Sequence, residues 1–155
     1  MKIMKKICIA AIFIVVFHMA LTYFNGFDDD NMFAMAGVVA TVAGILSGFY
    51  LAAITMLVGA VGNRVIKALK NNGLFEPLLH GMNVNCFSLV LVSILSLVSM
   101  IFVPSAVPVD IFFIGEVKLS VLLLSLTVTA LVCLSASFAS TWSKISKVVG
   151  AISKL

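Results

Sequence analysis

The chain has 155 residues, 63% of them apolar and only 10% charged, with a net charge of +4 and a mean hydropathy of +1.25. Soluble domains carry about 25% charged and about 45–50% apolar residues, so this composition excludes an ordinary soluble domain and leaves no length for a second, water-facing one. With six acids, two histidines and one tryptophan, the chain has no paired carboxylates, no nucleophile beside a base and no metal-ligand spacing, so it reads as a non-enzyme without cofactor or metal.

In chain order, a basic start (Lys2, Lys5, Lys6) leads into a first apolar run over about 7–24. That run is long and lacks a small-x-small site behind it, so it reads as an uncleaved span rather than a signal peptide. A short acidic turn with Asp28, Asp29 and Asp30 follows, then a second run over about 33–61. A polar interruption over 62–83 comes next, then runs over about 86–103 and 119–140 separated by a loop containing Pro104, Pro108, Asp110, Glu116 and Lys118. Each run reaches the roughly 17–25 residues that cross about 30 Å of hydrocarbon, and none contains Asp, Glu, Lys or Arg. A helix satisfies its own backbone in lipid. The expected fold is therefore all-α, a single four-helix transmembrane bundle with short cytoplasmic helical extensions. Nine of the ten basic residues fall on one side of this arrangement. The positive-inside rule makes that side cytoplasmic, with both termini there.

The interruption, GNRVIKALKNNGLFEPLLHGMN, is a basic amphipathic hairpin. Arg64, Lys67 and Lys70 are expected to extend the second helix by about two turns. Asn71-Asn72-Gly73 then ends it, with Gly73 in left-handed cap geometry. The third helix is expected to start near Leu74, with Pro77 tolerated in its first turn. Leu74, Phe75, Leu78 and Leu79 recur at helical spacing and need a partner: headgroups, another helix, or another protein. The tail over 141–155 is also amphipathic, with Trp142 at the membrane interface and Lys144, Lys147 and Lys154 beyond it. Arg64, Lys67, Lys70, Phe75, Lys144 and Lys147 form a cytoplasmic platform that contacts lipid or a protein partner. No nucleic-acid-reading module is present, so direct nucleic-acid binding is not expected.

Two ladders mark the helix faces. Ala36, Ala40, Gly44, Gly48 and Ala52 recur every four residues, and small residues let helix backbones approach in lipid. They pack either within the subunit or between subunits. Ser125, Thr129, Cys133, Ser137 and Thr141 form a second ladder, and Ser93, Ser96 and Ser99 mark the third span. These hydroxyls either bond backbone carbonyls in dry packing or line a polar path, in which case Ser96, Ser125, Thr129 and Ser137 face its lumen. His18 reads as a structural, hydrogen-bonded group near the interface. Cys8, Cys86 and Cys133 read as small buried hydrophobes.

The order of parts, from MKIMKK through the glycine-bearing GVVATVAGILSGFYLAAITML and the basic turn GNRVIKALKNNGLFEPLL to two further spans, resembles small four-span bacterial inner-membrane proteins of anti-phage defence loci, the membrane subunit of the Kiwa system first among them. The resemblance covers the whole plan and rests on no single motif. It implies a homo-oligomer, a tetramer, that senses phage infection at the membrane and docks a cytoplasmic, DNA-associated effector. The alternative is a small pore-forming or superinfection-exclusion protein acting on the membrane directly.

Overall fold

The computed structural model describes residues 2–59, 64–104, 107–111 and 115–152, and side chains for 10–59, 66–67, 69–104, 107–109, 117–139 and 143. The elements are α1 (Lys2–Phe24), α2 (Asp29–Gly59), α3 (Arg64–Asn71), α4 (Phe75–Phe102), β1 (Pro108–Ile111), β2 (Gly115–Lys118) and α5 (Leu119–Ile152). Among the described residues three helical segments are long and apolar enough to cross a membrane: Asp29–Gly59, Phe75–Phe102 and Leu119–Ala139. Ala10–Phe24 is a shorter apolar helix. The protein is thus a predominantly helical, multi-pass membrane protein.

The helix ends follow from local chemistry. Asp28 caps α2: its Oδ1 accepts from the Asn31 amide at 3.1 Å, and its carbonyl accepts from Met32. Asp29 and Asp30 occupy the first turn, where negative charge complements the positive helix end. The acidic turn read from the sequence is therefore partly helix. Gly73 has φ +64°. Its amide donates to the Lys70 carbonyl, and the Leu74 amide donates to the Leu69 carbonyl, both at 3.0 Å. This bond pair is a Schellman cap. Pro77 falls in the first turn of α4, where its missing N–H costs nothing. Gly73→Ala should cost about 1 kcal/mol, because an L side chain resists positive φ. Hydrogen exchange at the Gly73 and Leu74 amides should speed up about fivefold, and an unchanged rate would count against the cap.

By its internal contacts the chain groups into two compact units. Long helices acquire different neighbours along their length, and α2, α4 and α5 each contribute to both units. The first unit comprises Met1–Ala43 and Leu91–Cys133. Its core includes Leu21, Phe24, Ala36, Ala43, Val121 and Leu124. The segment after α4, read as a loop, contains an antiparallel hairpin in which Val109 pairs with Val117 and Pro108 with Lys118. The Leu119 amide donates to the Val107 carbonyl, and Lys118 Nζ meets Asp29 Oδ1 at 2.9 Å. That ion pair is about half exposed on both sides. It fixes the hairpin against the start of α2 more than it stabilises the fold. Phe112, Phe113 and Ile114, between the two strands in sequence, lie outside the described residues.

The second unit comprises Gly44–Val90 and Leu134–Leu155. It contains the α3–α4 hairpin, in which Ile66, Leu69 and Phe75 form a small core, with Leu57 and Leu79 packed against it. Residues 60–63, where α2 was expected to continue into the basic turn, lie outside the described residues.

Candidate functional site

In the first unit, α4 is fastened to α2 by hydroxyls. Ser96 Oγ donates to the Ala36 carbonyl at 2.8 Å, and Ser93 Oγ to the Ala40 carbonyl at 3.1 Å. A backbone carbonyl has a second lone pair free for such a bond. The small side chains of Ala36 and Ala40 leave room for the serines to reach it. Ala36, Ala40 and Ala43 are buried. Gly44, Gly48 and Ala52 are exposed, and a Cβ at Gly44 or Gly48 would meet no heavy atom within 4 Å. The expected ladder of small residues therefore divides into a half closed by this chain and an open half.

The hydroxyls of α5 in this unit are sealed. Ser125 and Thr129 are both 0% exposed. Ser125 donates to the Val121 carbonyl and Thr129 to that of Ser125, each at 2.7 Å, while Thr127 donates to Leu124. Ser96 is likewise 0% exposed. Among the described residues no buried side-chain nitrogen or oxygen lacks a hydrogen-bond partner.

The second unit contains a three-helix polar node. Asn85 Nδ2 donates to the Tyr50 hydroxyl at 3.1 Å and to Ser137 Oγ at 3.2 Å, joining α4 to α2 and α5. Asn85 and Tyr50 are buried. The Tyr50 ring meets Phe138 edge-on at 5.3 Å, and the Cys86 thiol donates to the Ser47 carbonyl at 3.6 Å. Ser137 is thus a partner of Asn85, a residue the sequence reading passed over. Interhelical amide bonds of this kind stabilise membrane helix pairs.

The hairpin exposes the opposite chemistry. Of the described side chains on α3, Ile66 and Leu69 are buried, whereas Lys67, Lys70 and Asn71 are exposed. Lys70 Nζ lies 5.4 Å from the Phe75 ring centroid, a cation–π contact. Phe75, expected to contact lipid or a partner, is 5% exposed and packs within its own hairpin. Leu74 at the tip remains 46% exposed. Comparison with protein-family models, curated proteins and solved structures finds no match.

The remaining platform residues are placed by backbone alone. Arg64 opens α3, and Lys144 and Lys147 lie on α5, which runs unbroken from the apolar segment to Ile152. Their side chains, and those of Cys8 and Trp142, lie outside the described residues, as does Lys154 altogether. His18 is exposed, and its carbonyl accepts from Thr22 Oγ1 at 2.9 Å. Among the described residues no group of three or more His, Cys, Asp or Glu gathers as a metal site would need.

Proposed function

We propose that this protein is an oligomeric inner-membrane scaffold or sensor that couples a perturbation of the membrane to a cytoplasmic effector protein. Phage infection is the trigger that the resemblance to defence proteins suggests. The observation that carries this reading is the hairpin's division of labour: Ile66, Leu69 and Phe75 form its own core, and Lys67 and Lys70 face outward on a capped helix. A short element with a folded core and an outward basic side supports docking of an acidic partner surface. The sealed hydroxyls of Ser96, Ser125 and Thr129 favour this reading over a pore. Residues with no exposure in the protomer would have to leave their carbonyl partners to reach a lumen between copies.

A sensor needs two packings of similar energy, one of which the stimulus favours. The exposed small face around Gly44 and Gly48 suits an interface between copies, in keeping with the tetramer the resemblance suggests, because close backbone approach there leaves room for helices to shift. Charge reversal, Lys67→Glu with Lys70→Glu, should abolish co-purification of a stoichiometric cytosolic protein in mild detergent, lowering recovery at least tenfold. Topology would be checked in parallel, since basic residues also set orientation. Undiminished recovery in a correctly inserted variant would remove the coupling reading.

A further inference from the structure

We infer that the α3–α4 turn is a binding site for anionic phospholipid, with Lys67 and Lys70 gripping the headgroup phosphate. This deepens the coupling reading and rests on it for the placement of the hairpin at the membrane's basic side. Depth is the first argument. At about 1.5 Å per residue, the 28 residues of α4 reach about 42 Å. The hydrocarbon layer is about 30 Å thick, and about 40–45 Å with its headgroups. A helix of that length crossing the bilayer brings its Phe75 end, and the turn before it, to headgroup level.

The second argument is chemistry. Lys67 and Lys70 stand three apart on one helix, so they are neighbours on its surface. Both are exposed, and the apolar side of the same helix is occupied by Leu69 and Ile66. The Phe75 ring beneath Lys70 restrains one ammonium without neutralising it. Leu74, 46% exposed at the tip, gives the turn an apolar point that suits the interface. Over 62–83, Arg64, Lys67 and Lys70 outweigh the single acid, Glu76. The patch is therefore cationic, amphipathic and set at the depth where lipid phosphates lie. An anionic lipid surface fits all three features.

The test uses the full chain in nanodiscs of mixed phosphatidylglycerol and phosphatidylcholine, with retained lipids counted by native mass spectrometry. A basic residue near an anionic surface is worth about fivefold in affinity. The Lys67→Gln/Lys70→Gln variant should therefore lose about 25-fold of the phosphatidylglycerol preference. Lys67→Arg/Lys70→Arg should retain it, and Lys118→Gln, which removes a charge from the other loop, should leave it unchanged. Wild-type preference should also fall as salt rises from about 0.05 to 0.5 M, in keeping with screening; this arm needs no variant to fold. Preference that survives the glutamine pair, is lost equally in Lys118→Gln, or ignores salt overturns the inference. No cytosolic partner is present in the nanodisc experiment. A failed lipid result therefore leaves partner capture standing, and a failed capture leaves the lipid result standing.

Discussion

Ala36→Leu should loosen the first unit severely, while Gly48→Leu on the same helix should leave it intact. Ala36 is 1% exposed, and its carbonyl accepts from Ser96 Oγ at 2.8 Å. A leucine there has no volume to enter, so α4 must move away and the hydroxyl bond is lost. Overpacking of this kind costs about 1–3 kcal/mol, and the lost interhelical bond adds about 0.6 kcal/mol. The apparent melting temperature in detergent should fall by roughly 5–10 °C. At Gly48 the new side chain meets open space, and leucine is the better helix former by about 1 kcal/mol. The protomer should therefore melt no lower than wild type. If Gly44 and Gly48 meet a second copy, Gly44→Leu/Gly48→Leu should instead shift the native mass toward the monomer. Equal melting of Ala36→Leu and wild type would show that the α2–α4 seam is not closed as described.

This contrast also shows where the sequence was legible. Long uncharged runs announce spanning helices because the bilayer sets a minimum length, and three such helices are present among the described residues. The Asn-Asn-Gly breaker announced a cap because glycine tolerates positive φ, and Gly73 adopts it. Each ladder divides between different surroundings for a geometric reason. With 3.6 residues per turn, each step of four advances about 40° beyond a full turn. Neighbours in such a ladder share a face, but its ends do not. From Ala36 to Ala52 the drift is about 160°, which carries the series from the buried side to the exposed one. The same drift on α5 separates Ser125 and Thr129, both sealed, from Ser137, which reaches Asn85.

Other features were hidden by a stronger signal nearby. The β1–β2 hairpin alternates Val109, Asp110, Ile111 against Gly115, Glu116, Val117, Lys118. That is a period of two, masked by the apolar sequence between its strands, which drew the reading to a loop. Which partner Phe75 takes stayed open because spacing along one helix cannot reveal the facing residues Ile66 and Leu69, which only the turn brings opposite. Asn85 had a signal that went unused: a lone carboxamide at the edge of an apolar run needs a partner in lipid.

Asn85→Leu should carry the second large effect, and its companion variant makes the cause readable. The substitution removes the donor that serves Tyr50 and Ser137, leaving a 2% exposed tyrosine with its hydroxyl deprived of that bond. A buried polar group that loses its partner costs about 1–3 kcal/mol, although membrane hydrogen bonds average about 0.6 kcal/mol. The melting temperature in detergent should fall by several degrees. Replacing both partners by apolar groups of similar shape is far less costly, so Asn85→Leu/Tyr50→Phe should recover part of what Asn85→Leu loses. Residues in direct contact commonly show non-additivity of about 0.5–3 kcal/mol, and about 1 kcal/mol is expected for this pair. Strict additivity of the two single variants would mean that the Tyr50 hydroxyl contributes nothing through Asn85 and that the node is packing alone. Recovery in the double variant would mean that the three-helix contact is a specific hydrogen-bonded join. Such a join can be made or broken as a unit, which is the property a two-state coupling element requires.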